Sequence, residues 1–125
     1  MLNEIIKRAK LHGKTLIYNA TDALLIIDFC EKKQLSILGI DSFIISKNAT
    51  QPIDEIDFTS DSFINSNQYN NSWEHARQFI YSHKENDLYY EITFSDNQKN
   101  QFFEYFKDYD AVYNKESFIQ STAKA

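Results

Sequence analysis

Glycine and proline are nearly absent from this 125-residue chain, with two of the first and one of the second. Barrels and sandwiches built from many tight turns use both freely, so a helix-rich fold with a modest sheet is expected. The glycines, Gly13 and Gly39, stand far apart. Phosphate-cradling loops and nucleophile elbows need clustered glycines, and neither has a place here. The single cysteine, Cys30, excludes an internal disulfide framework. It lies in the apolar run ALLIIDFC and reads as a small core residue. No run approaches the roughly eighteen apolar residues of a membrane span. The N-terminal MLNEIIKRAK scatters charge among its apolar residues, unlike a secretory signal. The expectation is a cytoplasmic protein with no membrane partner.

Histidine is scarce too. His12, His75 and His83 are the only three, with no HExxH and no CxxC. On one helix His75 and His83 would stand two turns apart, too far to share a zinc ion. No metal and no cofactor is expected. The net charge is −5, unevenly spread: residues 1–34 carry six basic and four acidic groups, and the remainder seven and fourteen. An acidic body repels nucleic acid and attracts basic proteins. Lys7, Arg8, Lys10 and Lys14 form a small basic patch without interleaved aromatics, short of a nucleic-acid footprint.

What the chain has is apolar bulk: ten Phe, eight Tyr and an apolar fraction of 42%. At this length a single domain, residues 1–125, buries enough surface to fold without a covalent or metal staple. Leu2, Ile5, Ile6 and Ala9 give a first helix, with Gly13 as its stop. TLIY (15–18) is too short to assign firmly, and a strand is one option. Thr21 reads as an N-cap and Asp22 as a first-turn acid for a second helix, whose apolar face holds Ala23, Ile26, Ile27 and Cys30. Residues 35–46 carry apolar side chains at both parities, the mark of a central strand covered on both faces. Within 53–58, IDEIDF fits either a helical turn after Pro52 or an edge strand. Asn71 and Glu74 suggest a capping box for a helix whose inner face is Trp73, Ala76, Phe79 and Ile80. DLYYEITF (87–94) alternates like a strand with one covered face. Ser95 and Gln98 repeat the capping spacing before Phe102, Phe103, Phe106 and Tyr109. Residues 121–125 read as a frayed tail. The sum is an α+β (α/β) domain, about four helices packed on a small central sheet of three to five strands.

Asp41 is the odd residue. It sits in SILGIDSFIIS (36–46), where unpaired burial of a carboxylate would cost several kcal/mol. It is expected at the strand's end, at a bulge near Gly39, or satisfied by backbone amides, with Gly39 favouring the bulge. Gly39, Asp41 and Trp73 are therefore read as structural.

Two surfaces suit a partner. One is the acidic run Asp54, Glu55, Asp57 and Asp61. The other is Asp108, Tyr109 and Asp110, where tyrosine offers an interface anchor at low entropic cost. The segment IIDFCEKKQLSILGIDSFII resembles a group of small immunity proteins from bacterial polymorphic-toxin and contact-dependent growth-inhibition systems. These show an apolar helix, a short charged turn and a strand of the type I-L-G-x-D-x-F, places held here by Ile37, Leu38, Gly39, Asp41 and Phe43. NSWEHARQFI and LYYEITF are similar to their Ser-Trp helix and final strand, through Ser72, Trp73, Phe79, Ile80, Tyr90 and Glu91. The resemblance spans roughly residues 21–94, and Ile40 stands where the family commonly has a second glycine. It implies a non-enzymatic cytoplasmic protein that binds one cognate toxin domain, often a basic nuclease, and blocks its active site or substrate access. The alternatives are a binding or regulatory module for another protein or small ligand, and a hydrolase using the carboxylates of 54–61.

Overall fold

The computed structural model describes residues 1–59, 72–95 and 102–110. Among them are four α-helices and two small antiparallel sheets, an α+β domain. The helices are α1 (Leu2–Arg8), α2 (Ala20–Lys32), α3 (Ser72–His83) and α4 (Phe103–Phe106). The strands are β1 (Lys10–His12), β2 (Thr15–Ile17), β3 (Ile37–Ile45), β4 (Thr50–Thr59) and β5 (Tyr89–Phe94). Strands β1 and β2 form a hairpin, and the larger sheet has the order β4-β3-β5. Tyr18 joins the two through paired backbone hydrogen bonds with Tyr90, each 2.7 Å.

The chain turns with few glycines by placing other residues in the left-handed region. Helix α1 stops at Arg8 because Ala9 turns extended, so Gly13 is not its stop. Gly13 instead opens the β1–β2 loop with φ +66°, the sign that a two-residue type II′ hairpin needs at its first position. Helix α2 begins at Asn19 rather than Thr21: the Asn19 side chain accepts from the Asp22 amide at 2.8 Å. At its other end Gln34 takes φ +61°. The Leu35 amide reaches back to the Cys30 carbonyl at 2.7 Å and the Gln34 amide to Glu31 at 3.1 Å. That is a Schellman cap in which glutamine stands where glycine usually does, which hid it in the sequence.

The core lies between the helices and one face of the sheet. Ile26, Ile27 and Cys30 of α2 and Ala76 and Ile80 of α3 are fully buried against Ile37, Ile40, Tyr90 and Phe94. Phe102 packs edge-on to Phe29, and Phe106 edge-on to Phe94, with ring centres 5.0 and 5.5 Å apart. IDEIDF lies in the edge strand β4.

Ile37 and Ile40 have opposite parity, yet both face this core. A bulge explains it: Ile37 pairs with Phe94 and Gly39 with Thr93, leaving Leu38 as an extra residue. The extra residue flips the strand's alternation, so Gly39, Asp41 and Phe43 share the face away from the helices. The bulge expected near Gly39 is thus present.

Two residues at the start of α3 hold the entry to β3. The Trp73 indole N–H donates to the Leu35 carbonyl at 2.7 Å, and the Ser72 hydroxyl accepts from the Ile37 amide at 3.0 Å. Ser95 does the same for Ser36 from the end of β5, at 3.1 Å. Two arginines add ion pairs between elements. Arg8 grips buried Asp22 with two hydrogen bonds, at 2.8 and 3.0 Å, and these keep the guanidinium firmly protonated. Arg77 on α3 reaches Asp28 and Glu31 on α2.

Candidate functional site

The outer face of the sheet carries the residues least explained by packing. Register places Asp57 of β4 opposite Asp41 of β3, and Asp41 opposite Glu91 of β5. Directly opposed residues of antiparallel strands point to one side, with Cβ atoms about 4.5–5.5 Å apart. Three carboxylates therefore stand in a row across three strands. Asp41 and Asp57 are exposed, and among the described residues neither side chain makes a hydrogen bond or an ion pair. Like charges directly opposite one another destabilise a sheet, so folding gives no reason for the pair.

Next to this row the β3–β4 ladder breaks. Asp41 pairs with Asp57, but the following residue, Ser42, pairs with Ile53. Residues 54–56 of β4 are left over at that step and swing out of the ladder. The break opens a cleft of about 470 Å³. Asp41 and Asp57 supply its charge, Phe43, Pro52 and Ile53 its apolar lining, and His12 a ring at its margin. The β1–β2 hairpin brings His12 there, with its ring 5.1 Å from that of Phe43 and tilted by 57°. Phe43 is buried without belonging to the main core, and so is Ile17 of the same hairpin.

Chemically the cleft is anionic and partly apolar. Ser42 is 1% exposed, and its hydroxyl has no hydrogen-bond partner among the described residues, so no serine–histidine relay is assembled there. Cys30 is fully buried in the core and burial pushes its thiol up, away from nucleophilic use. Among the described residues no three His, Cys, Asp or Glu side chains converge as a metal-ligand set, and no helix is long and apolar enough to cross a membrane.

The residues singled out from sequence fall as follows. Asp57 lines the cleft. Asp54 and Glu55 lie on β4 at its break, but their side chains, and Asp61 altogether, lie outside the described residues. Asp108 and Asp110 are exposed beyond α4, whereas Tyr109 is half-buried and packs against the core. Trp73 clasps the entry to β3, and Gly39 follows the bulge residue Leu38. Asp41 is exposed at mid-strand on the outer face rather than buried as a backbone acceptor, because the Leu38 bulge turns its parity outward. Sequence reasoning missed Asp41, His12 and Phe43 as one site. The available signal was the wetter face of DLYYEITF, which includes Glu91, but the register that sets Asp41 beside it is a tertiary fact.

Compared with known proteins, the chain matches no family model, no curated protein sequence and no solved structure.

Proposed function

We propose that the chain is a cytoplasmic immunity protein, which binds one toxin domain and covers its active site or the path of its substrate. The observation that carries this reading is the carboxylate row Asp57–Asp41–Glu91 on the sheet face opposite the helices. Two of the three acids have no internal partner among the described residues, and their mutual repulsion weakens the free protein. Charge placed against stability in this way suits a basic target, where complementary potentials speed association and exclude wrong partners. The resemblance of residues 21–94 to immunity proteins of polymorphic-toxin systems points the same way. No catalysis is invoked.

The reading expects a toxin domain to be encoded by the gene adjacent to this one, and that domain is the test. Co-expression should protect cells from that domain, and the purified pair should form a complex whose association rate falls steeply with salt. Failure to protect, or a salt-insensitive association rate, counts against the reading. The cleft itself favours a second reading, a module that captures a small cationic ligand, since a concave site with a few convergent polar groups is how ligand sites are built. A hydrolase using the carboxylates of 54–61 is tested by the same purified protein, which should then turn over a substrate without a partner.

A further inference from the structure

We infer that the cleft at the β3–β4 break is a receptor for one arginine side chain of the protein partner; this rests on the immunity reading and names the contact at its centre. The cleft has the parts a guanidinium needs. Asp41 and Asp57 face each other on neighbouring strands, and among the described residues both are free to accept hydrogen bonds. A forked, planar cation can bond two carboxylates at once and cancels the repulsion between them. Phe43 and Pro52 provide an apolar bed, and the His12 ring stands beside Phe43 as a wall. A guanidinium is weakly hydrated and lies flat against such surfaces. A lysine ammonium is compact and strongly hydrated, so it gains less from the apolar lining. Elsewhere among the described residues, acidic side chains that meet an arginine already have one of their own: Asp22 holds Arg8, and Asp28, Glu31 and Glu74 share Arg77.

The experiment has two arms. In the first, the free protein is titrated with Nα-acetyl-arginine amide and, separately, Nα-acetyl-lysine amide at constant ionic strength, with NMR shifts followed at backbone amides and the His12 ring. Saturable shifts confined to His12, residues 41–43 and residues 52–57, larger for arginine and lost in the D41N/D57N variant, are expected. Equal response to both amides, or shifts that survive in D41N/D57N, overturns the inference. In the second arm the toxin domain is bound to D41N, D57N and the exposed control Glu85→Gln. Asp41→Asn and Asp57→Asn should each weaken the complex about tenfold or more, with E85Q unchanged. D41N should also raise the melting temperature of the free protein, which separates lost recognition from lost folding. A tight complex indifferent to D41N and D57N sinks the arginine site and leaves the immunity reading standing. Absence of any complex sinks the immunity reading, and the amide titration then still judges the cleft.

Discussion

Replacing Trp73 by phenylalanine tests how β3 is anchored to α3. Trp73 is 9% exposed and its indole N–H donates to the Leu35 carbonyl at 2.7 Å, inside the core. Phenylalanine keeps an aromatic ring but cannot donate. The Leu35 carbonyl, on a residue only 4% exposed, then loses this donor. An orphaned buried polar group costs about 1–3 kcal/mol. The smaller ring also gives up roughly 40 Å² of buried apolar area, worth about 1 kcal/mol at about 25 cal/mol per Å². The sum, about 2–4 kcal/mol, is a large share of the roughly 5–15 kcal/mol that holds a domain together. For a chain of this size that lowers the melting temperature by roughly 8–15 °C. The assay is urea unfolding followed by circular dichroism, since the variant removes the only tryptophan. The denaturant slope should stay unchanged while the midpoint falls. Ser72→Ala, which takes the acceptor from the Ile37 amide, should cost about 1–3 kcal/mol. The double variant should lose less than the sum, because both bonds hold the same three residues. A W73F midpoint corresponding to less than about 0.5 kcal/mol would show that the Leu35 carbonyl finds water or another donor, and that the clasp is not what positions β3.

The other predictions concern single residues. Cys30 is fully buried with its thiol pushed up by burial, so it should react with a disulfide reagent only at the rate of unfolding; prompt labelling of the native protein would refute its placement. Burial raises the Tyr18 and Tyr90 phenols above the ordinary value near 10, so the folded state keeps protons that the unfolded chain releases. Their contribution is complete below about pH 10 and is lost as pH rises beyond it, by up to about 1.4 kcal/mol per pH unit for each phenol; Tyr18→Phe should flatten that alkaline fall in stability. Ser42→Ala removes a buried hydroxyl that has no partner among the described residues, so unfolding should show it neutral or slightly stabilising rather than costly. Gln34→Gly should stabilise by about 0.5–1 kcal/mol, because glycine meets the left-handed cap of α2 without strain; a destabilised variant would contradict the Schellman geometry.

Much of the fold was legible along the chain. The 3.6-residue spacing of Ala23, Ile26, Ile27 and Cys30, and of Trp73, Ala76 and Ile80, marked the buried faces of α2 and α3, since a helix can bury a stripe only at that period. The alternation of Leu88, Tyr90, Ile92 and Phe94 marked the covered face of β5 for the corresponding reason at period two. Three features read poorly. The hairpin β1–β2 is short, and its only signal, Gly13, fits a helix stop equally well. The cap at Gln34 lacks the glycine that usually announces it. The split of IDEIDF between turn and edge strand was decided by a partner, β3, with no counterpart in its own pattern.

Local composition and periodicity determine which residues are helical, which are extended and which must be inside, because those choices depend on neighbours a few positions away. The site depends on something else. Whether Asp41 faces a helix or the solvent is set by one extra residue, Leu38, in a ladder with a strand more than fifty residues on. Whether Asp57 stands beside it is set by a second slip in the ladder on the other side. A one-residue change of register turns every following side chain to the opposite face, so the acidic row, the cleft and the ring of His12 exist only once three strands and a hairpin have been brought together.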